Sequence, residues 1–190
     1  MGPSLAEIEA AADSLKGRIV ETPSVPLTSA RITPFLPTGT SATLKLELFQ
    51  QTGSFKARGE LLAIDALTPD ERAAGVTGVS AGNHAVALTW AAVASGISVK
   101  VVMPEYADPV RIEACRQMGG EVVLTKDIAE AFARVHDIHE TEGRKILHPF
   151  ESEHMVLGPA TTVTAAANVL QRGSLRYCWP ALIVDVWRRR

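Results

Sequence analysis

Lys56 stands in the segment Gln51-Thr52-Gly53-Ser54-Phe55-Lys56-Ala57-Arg58-Gly59, a Gly/Ser-rich turn that opens a helical pattern. An amine so placed is a seat for a Schiff base, provided that it loses its proton, because an ammonium has no lone pair with which to attack a carbonyl. Burial or nearby positive charge lowers a lysine's pKa, and Arg58 together with the positive end of the helix offers the second of these. Taken alone, such a lysine is more often a solvated surface charge. A second segment shifts that balance. Ser80-Ala81-Gly82-Asn83-His84-Ala85 follows a strand-like run, Val76-Thr77-Gly78-Val79, and opens an apolar helix. A strand, a turn of small residues and a helix start present backbone N–H groups to an anion. Asn83 is placed to serve as N-cap and carries an amide able to bond a ligand.

The elements that must position these two loops are legible around them. Ser4 and Glu7 form a capping box before Leu5, Ile8, Ala12 and Leu15, one helical stripe that Gly17 ends. Pro23, Pro26, Pro34 and Pro37 make the next stretch a loop with short extended pieces. Thr43 to Leu48 then alternates Leu44, Leu46 and Leu48 against polar neighbours, which predicts a strand feeding the lysine loop. A helix is expected from Phe55 to Leu67, and Thr68-Pro69 marks the start of a short further one. From Val76 the chain alternates regularly. Strands are expected at 77–80, 98–103, 121–124 and 145–147, and helices at 83–95, 109–118 and 127–142. Short loops between strand and helix imply βαβ units and a parallel sheet. Gly96, Gly119 and Gly143 fall at expected helix ends, and Asp108 and Asp127 at expected starts.

Composition narrows the function classes. At 190 residues, 46% hydrophobic and 21% charged, the chain reads as globular, with one domain or one domain and part of another. No apolar run reaches the ~20 residues of a membrane span, and the N-terminus lacks the pattern of a secretory signal. Cys115 and Cys178 give neither a disulfide framework nor metal-ligand spacing, which fits a reduced, cytoplasmic setting. His136 and His139 lie three apart on a helix with Asp137 and Glu140, a pattern better explained by a solvated polar face than by a metal. No metal is expected. Residues 1–171 carry a net −6 and residues 172–190 a net +4, and that tail holds Tyr177, Trp179 and Trp187. The shift marks a boundary. No dinucleotide or Walker pattern follows a strand, and only the terminal arginines suggest nucleic acid.

The pair of loops, in this order and at this separation, resembles the fold-type II pyridoxal-phosphate enzymes, the threonine/serine dehydratase and serine racemase branch in particular. Val101-Val102-Met103-Pro104-Glu105, Gly119-Gly120-Glu121-Val122-Val123-Leu124 and His148-Pro149-Phe150 extend the resemblance over about Leu5 to Thr161. It implies an α/β fold with an open parallel sheet and flanking helices, tryptophan synthase beta-like: a complete small domain plus a partial large domain. The implied division is 1–69 for the first part of the large domain, 70–148 for the small βαβ domain, 149–171 for the return into the large domain, and 172–190 for a divergent basic tail. Where the family continues with Gly-Gln-Gly-Thr, a long helix and a glycine-rich phosphate loop, this chain has Gly158-Pro159-Ala160-Thr161, keeps the terminal Thr, and then departs into the basic tail. The tail is read as a replaced or out-of-frame C-terminus, the alternative being a native minimal form.

Carried over by residue, the resemblance makes Lys56 the anchor of pyridoxal 5'-phosphate and then the base for the Cα proton. Phe55 packs near the cofactor ring, Asn83 hydrogen-bonds its phenolic oxygen, and the backbone of Ser80, Ala81, Gly82, Asn83 and His84 holds the substrate carboxylate. The implied reaction is elimination of the β-hydroxyl of a hydroxy-amino acid to a 2-oxo acid and ammonia. Racemases of the family tend to carry a second serine in the asparagine loop; Ala81 stands here, which favours elimination. Arg58 has either an electrostatic role or a salt bridge that fixes the helix. The expected partners are an amino-acid substrate and, in a homo-oligomer, further copies of the chain, with neither nucleic acid nor membrane. The rival reading is an inert remnant that folds or associates without retaining the cofactor.

Overall fold

The computed structural model describes residues 2–35, 40–170 and 183–188. Ser4 and Glu7 cap each other's backbone as expected and start helix α1, Leu5–Leu15. Strand β1, Ser24–Pro26, follows, and β2, Thr40–Lys45, pairs antiparallel with it, Val25 opposite Leu44. A single 3-10 turn, Glu47–Phe49, leads into α2, Lys56–Asp65. On its other edge β2 pairs antiparallel with β7, Ile183–Arg188, with Thr43 opposite Asp185. Part of the basic tail is therefore a strand of this small sheet. The rest of that tail, Tyr177, Cys178 and Trp179 included, lies outside the described residues.

Residues 69–146 form the alternating region, within one or two residues of the expected bounds. Helix α3, Pro69–Ala74, begins at a Thr68–Glu71 capping box. It leads to β3, Val76–Val79, α4, Asn83–Ala94, β4, Val99–Pro104, and α5, Pro109–Gln117. Then come β5, Glu121–Thr125, α6, Ile128–Glu142, and β6, Lys145–Ile146. The four strands lie in the order β5-β4-β3-β6 and every pairing is parallel, as the alternation implied. Gly143 closes α6 in the left-handed region at φ 69°, where a Cβ would be strained. Val76, Val101 and Met103 point into a large core shared with Leu15, Ile64 and Leu88. Val79 and Val102 face Val135 and Ile138 of α6 on the opposite side. β3 is buried along its whole length, as a central parallel strand must be.

Two features of the N-terminal region depart from expectation. The strand predicted over Thr43 to Leu48 stops at Lys45, and its phase is inverted: Thr43, Lys45 and Glu47 are buried, whereas Leu48 is 62% exposed. Glu47 turns inward because Arg58 on α2 offers it a charged partner, an attraction that period-two hydrophobicity cannot register. Helix α2 also runs shorter than the predicted Phe55 to Leu67, with Phe55 as its N-cap and Ala66 as its C-cap.

Helix α7, Glu153–Leu170, packs across α2 at a crossing of two glycines. A Cβ on Gly158 would lie 2.3 Å from the Gly59 nitrogen, and one on Gly59 would lie 3.2 Å from the His154 carbonyl oxygen. The two backbones meet with no side chain between them. Gly158→Ala must therefore separate the helices, and urea unfolding is expected to show a loss of about 1–3 kcal/mol relative to the unaltered chain. Unchanged stability would show that the crossing is looser than described.

Candidate active site

Lys56 is the first residue of α2, reached through a tight turn in which Gly53 has φ 68°. The side chain is half-buried, and its Nζ donates to the Pro149 carbonyl at 2.7 Å. The ring of Phe150 lies 4.6 Å from Nζ and that of Phe55 5.6 Å, so the ammonium sits between two aromatic faces. Burial lowers the lysine's pKa, opposed by the charge of Glu60 one turn along the helix. Arg58, offered by the sequence as a depressing charge, is directed elsewhere. Around the lysine, Thr52 Oγ1, Ser54 Oγ and Glu60 Oε2 are buried with no hydrogen-bond partner among the described residues. Polar atoms buried in this state are the mark of a place made for a polar ligand.

The asparagine loop joins β3 to α4. Its N-cap is Gly82, not Asn83, which is the first helical residue and is exposed. Gly82 adopts φ −142° and ψ −143°, and Arg111 Nη1 lies where its Cβ would be, 2.8 Å away. The guanidinium thus settles against the loop in the space that a Cβ would take, and Asn83 stands one position inside the helix. Ser80 Oγ accepts from the Gly82 N–H at 2.9 Å, and the Ser80 N–H donates to the Val102 carbonyl at 3.2 Å. Of the five backbone groups expected to face a carboxylate, those two are already engaged. The N–H groups of Asn83 and His84, in the first turn of α4, have no acceptor within the helix.

His84 and Glu60 link the two loops. His84 Nδ1 meets Glu60 Oε1 at 2.5 Å and its Nε2 meets the Leu147 carbonyl at 3.0 Å, with both side chains buried. Glu60 lies one turn after Lys56 and His84 follows Asn83, so this contact ties the lysine helix to the start of α4. A second buried network secures the other side of α2. Arg58 makes a two-point contact with Glu47, Nε to Oε2 at 2.9 Å and Nη2 to Oε1 at 2.8 Å. Its Nη1 reaches Thr161 Oγ1 at 3.2 Å, while Thr22 Oγ1 donates to Glu47 at 2.6 Å. Burial pushes the Glu47 pKa up, but the Arg58 hydrogen bonds and charge outweigh it and hold the carboxyl below its ordinary value. Lys45, whose ammonium donates to the Thr22 carbonyl, has its pKa lowered chiefly by burial. Of the two roles open to Arg58, the structure assigns the salt bridge.

Sequence reasoning missed Glu60, Arg111 and the contacts that Pro149 and Phe150 make with Lys56. Pro149 also lines a cavity of about 270 Å³ with Val79, Phe132, Val135 and His148. His139, weighed with His136 as a metal pair, gives its Nδ1 to a hydrogen bond with the Arg144 carbonyl. No cluster of three or more metal-ligating side chains occurs among the described residues. Likewise, no helix among them is long and apolar enough to cross a membrane.

The residues fit an aldehyde cofactor: a half-buried amine of lowered proton affinity, two rings near it, and buried hydroxyls at Thr52 and Ser54 without a partner among the described residues. Among the described residues, no glycine-rich loop stands ready for a phosphate. Comparison with known proteins agrees with the first point. Residues 17–178 match the family described as "Pyridoxal-phosphate dependent enzyme". The phenylserine dehydratase of Ralstonia pickettii is 46% identical over 159 residues, covering 84% of this chain and 48% of that protein. The L-threonine ammonia-lyase of Thermotoga maritima is 41% identical over 125 residues, covering 65% of this chain and 31% of that one. Among solved structures, the serine racemase of Dictyostelium discoideum superposes with a TM-score of 0.78 at 28% identity, covering 89% of this chain and 54% of its own. The chain thus spans about half the length of the relatives it matches.

The Glu47–Arg58 pair has a pH signature. A carboxyl whose folded pKa lies below its ordinary 4.5 contributes stability that is complete above that value and is lost as pH falls through the folded one. Denaturant midpoints are expected to drop between about pH 5 and about pH 3, with a shallower drop in Glu47→Gln. Arg58→Met, which strands the carboxylate, is expected to cost about 3–5 kcal/mol at neutral pH.

Proposed function

Because this chain belongs to the pyridoxal-phosphate dependent enzyme family, we propose that it carries the lysine and substrate loops of an ammonia-lyase of threonine/serine dehydratase type. The reaction removes the β-hydroxyl of a hydroxy-amino acid and yields a 2-oxo acid and ammonia, in the cytoplasm. One observation carries this reading: a lysine kept short of its usual proton affinity by burial stands on a helix that the Glu60–His84 contact ties to the start of the asparagine-loop helix. The relatives named for phenylserine and threonine elimination support the same reaction class.

In this reading Lys56 would hold the cofactor through its aldehyde, and the same Nζ, when free, would take the Cα proton of the substrate. The Pro149 carbonyl, which accepts from Nζ at 2.7 Å, orients the amine. When bound, the cofactor delocalises the electron pair left by that proton. Phe55 would cover the ring side and the Asn83 amide would meet a phenolic oxygen. The Asn83 and His84 N–H groups take the substrate carboxylate at the start of α4, with the Arg111 guanidinium against Gly82 adding positive charge there. Ala81 offers the opposite face of Cα a methyl group rather than a hydroxyl, so a proton is not returned there and the hydroxyl leaves instead. The net reaction loses water at the Cα–Cβ bond and regains it when the released enamine hydrolyses.

Addition of pyridoxal phosphate to the full chain is expected to produce an absorption band near ~410 nm that Lys56→Ala abolishes. No band at excess cofactor would favour the inert remnant. With the cofactor retained, Arg111→Met is expected to raise KM for the amino acid about tenfold with little change in kcat, the pattern of a lost ground-state carboxylate contact. An unaltered KM would remove Arg111 from the carboxylate subsite.

A further inference from the structure

The carbonyl of Leu147 can only accept, so the proton on that side of His84 belongs to Nε2. On the other side, Nδ1 faces Glu60 Oε1 at 2.5 Å in a fully buried setting. Two acceptors cannot face each other there without a large desolvation cost, so one proton lies between them. Placed on nitrogen it makes an imidazolium beside a carboxylate, and placed on oxygen it makes two neutral groups. The sum of charges is zero in both cases.

That sum matters because of where Glu60 stands. It is four residues after Lys56 on α2, the spacing that puts two side chains on one helical face. A bare carboxylate there would draw the lysine toward its ammonium form, against the direction in which burial pushes it. The geometry points to Glu60 and His84 as a one-proton, net-neutral couple that ties the asparagine loop to the lysine helix and offsets, within a buried pair, the negative charge that Glu60 alone would present to Lys56. The inference rests on the reading of Lys56 as the attacking amine. Both side chains are positioning groups: that of His84 is engaged at both nitrogens, and the residue meets the substrate carboxylate only through its backbone N–H.

Other titratable groups on the surrounding elements are already accounted for. On α2 itself Arg58 is held by Glu47, on α1 Lys16 pairs with Asp13, and in the loop after β6 His148 lies 3.9 Å from Glu151. On α7, Glu153 is exposed and His154 is half-buried. Among the described residues none of these forms a hydrogen bond with Glu60 or His84, so the couple is a closed unit.

The test uses the full chain without cofactor and reads Lys56 directly. Trace acetylation over a range of pH, followed by peptide mass spectrometry, gives the midpoint at which Lys56 loses its proton. His84→Gln can still donate an amide hydrogen to Glu60 but cannot share a proton with it. Its Lys56 midpoint is expected to rise by about half a pH unit, or about threefold slower labelling at a fixed pH below the midpoint. Adding Glu60→Gln to that variant should bring the midpoint back down. An unmoved midpoint in His84→Gln, or a rise that persists in the double variant, overturns the couple. Should His84→Gln not fold by circular dichroism, the unaltered chain still decides. Its proton NMR spectrum must show a strongly deshielded imidazole proton that Glu60→Gln removes, and absence of that signal overturns the couple. None of these readings needs cofactor capture, so failure to bind pyridoxal phosphate would sink the proposed function and leave this inference standing.

Discussion

From Ala57 to Ile64 every residue of helix α2 is buried, so this helix has no solvent stripe. Most helices escape that condition by turning a polar face to water. Here the charged residues of α2 have to find partners inside the protein, and the way they do so organises what surrounds them. Arg58 draws Glu47 inward and with it reverses the phase of the preceding segment. Glu60 draws in His84 and thereby fixes the start of α4. Gly59 lets α7 approach to backbone contact, which seals the remaining side. Lys56, at the mouth of the helix, inherits the dryness of the whole arrangement.

The two polar networks on α2 differ in kind. Arg58 and Glu47 are joined by two parallel charge-assisted bonds, with Thr22 and Thr161 completing the shell. That is a rigid clamp between the N-terminal segment, α2 and α7. Glu60 and His84 instead form a single short contact, backed by a main-chain carbonyl, with one carboxyl oxygen left without a partner. The first network holds elements together, and the second sits where the chemistry is read. Only the second includes a group, Glu60, whose charge acts on Lys56.

Much of this was legible in the chain itself. The alternation from Val76 to Ile146, the caps at Ser4, Thr68, Asp108 and Asp127, and the parallel order all follow from local signals that agree with one another. Lys56 and Asn83 stood out because a glycine-bearing turn before a helix is visible in residue types. What could not be read were partnerships between distant side chains. Leu44, Leu46 and Leu48 alternate like an inward face, and nothing local announces that Glu47 has an arginine waiting 11 residues on. Gly82, and not Asn83, is the cap, and Arg111 from a different helix lies in the space a Cβ there would take. Glu60 looked like one more helical carboxylate until the fold brought His84 to it.

The contacts that dry the lysine are also among the most distant along the chain: Lys56 reaches Pro149 across 93 residues, and Arg58 reaches Thr161 across 103. Closing spans of that size carries an entropic cost that local βαβ pairing does not, so such contacts are rewarded only after the parallel sheet has formed. During synthesis the ribosome delivers the lysine helix about a hundred residues before the partners that cover it, an interval of roughly 5–20 seconds at ordinary translation rates. Over that interval Lys56 is an ordinary wet amine, almost wholly protonated at neutral pH. Its lowered proton affinity is thus acquired late in synthesis, once the segment at Pro149 covers it.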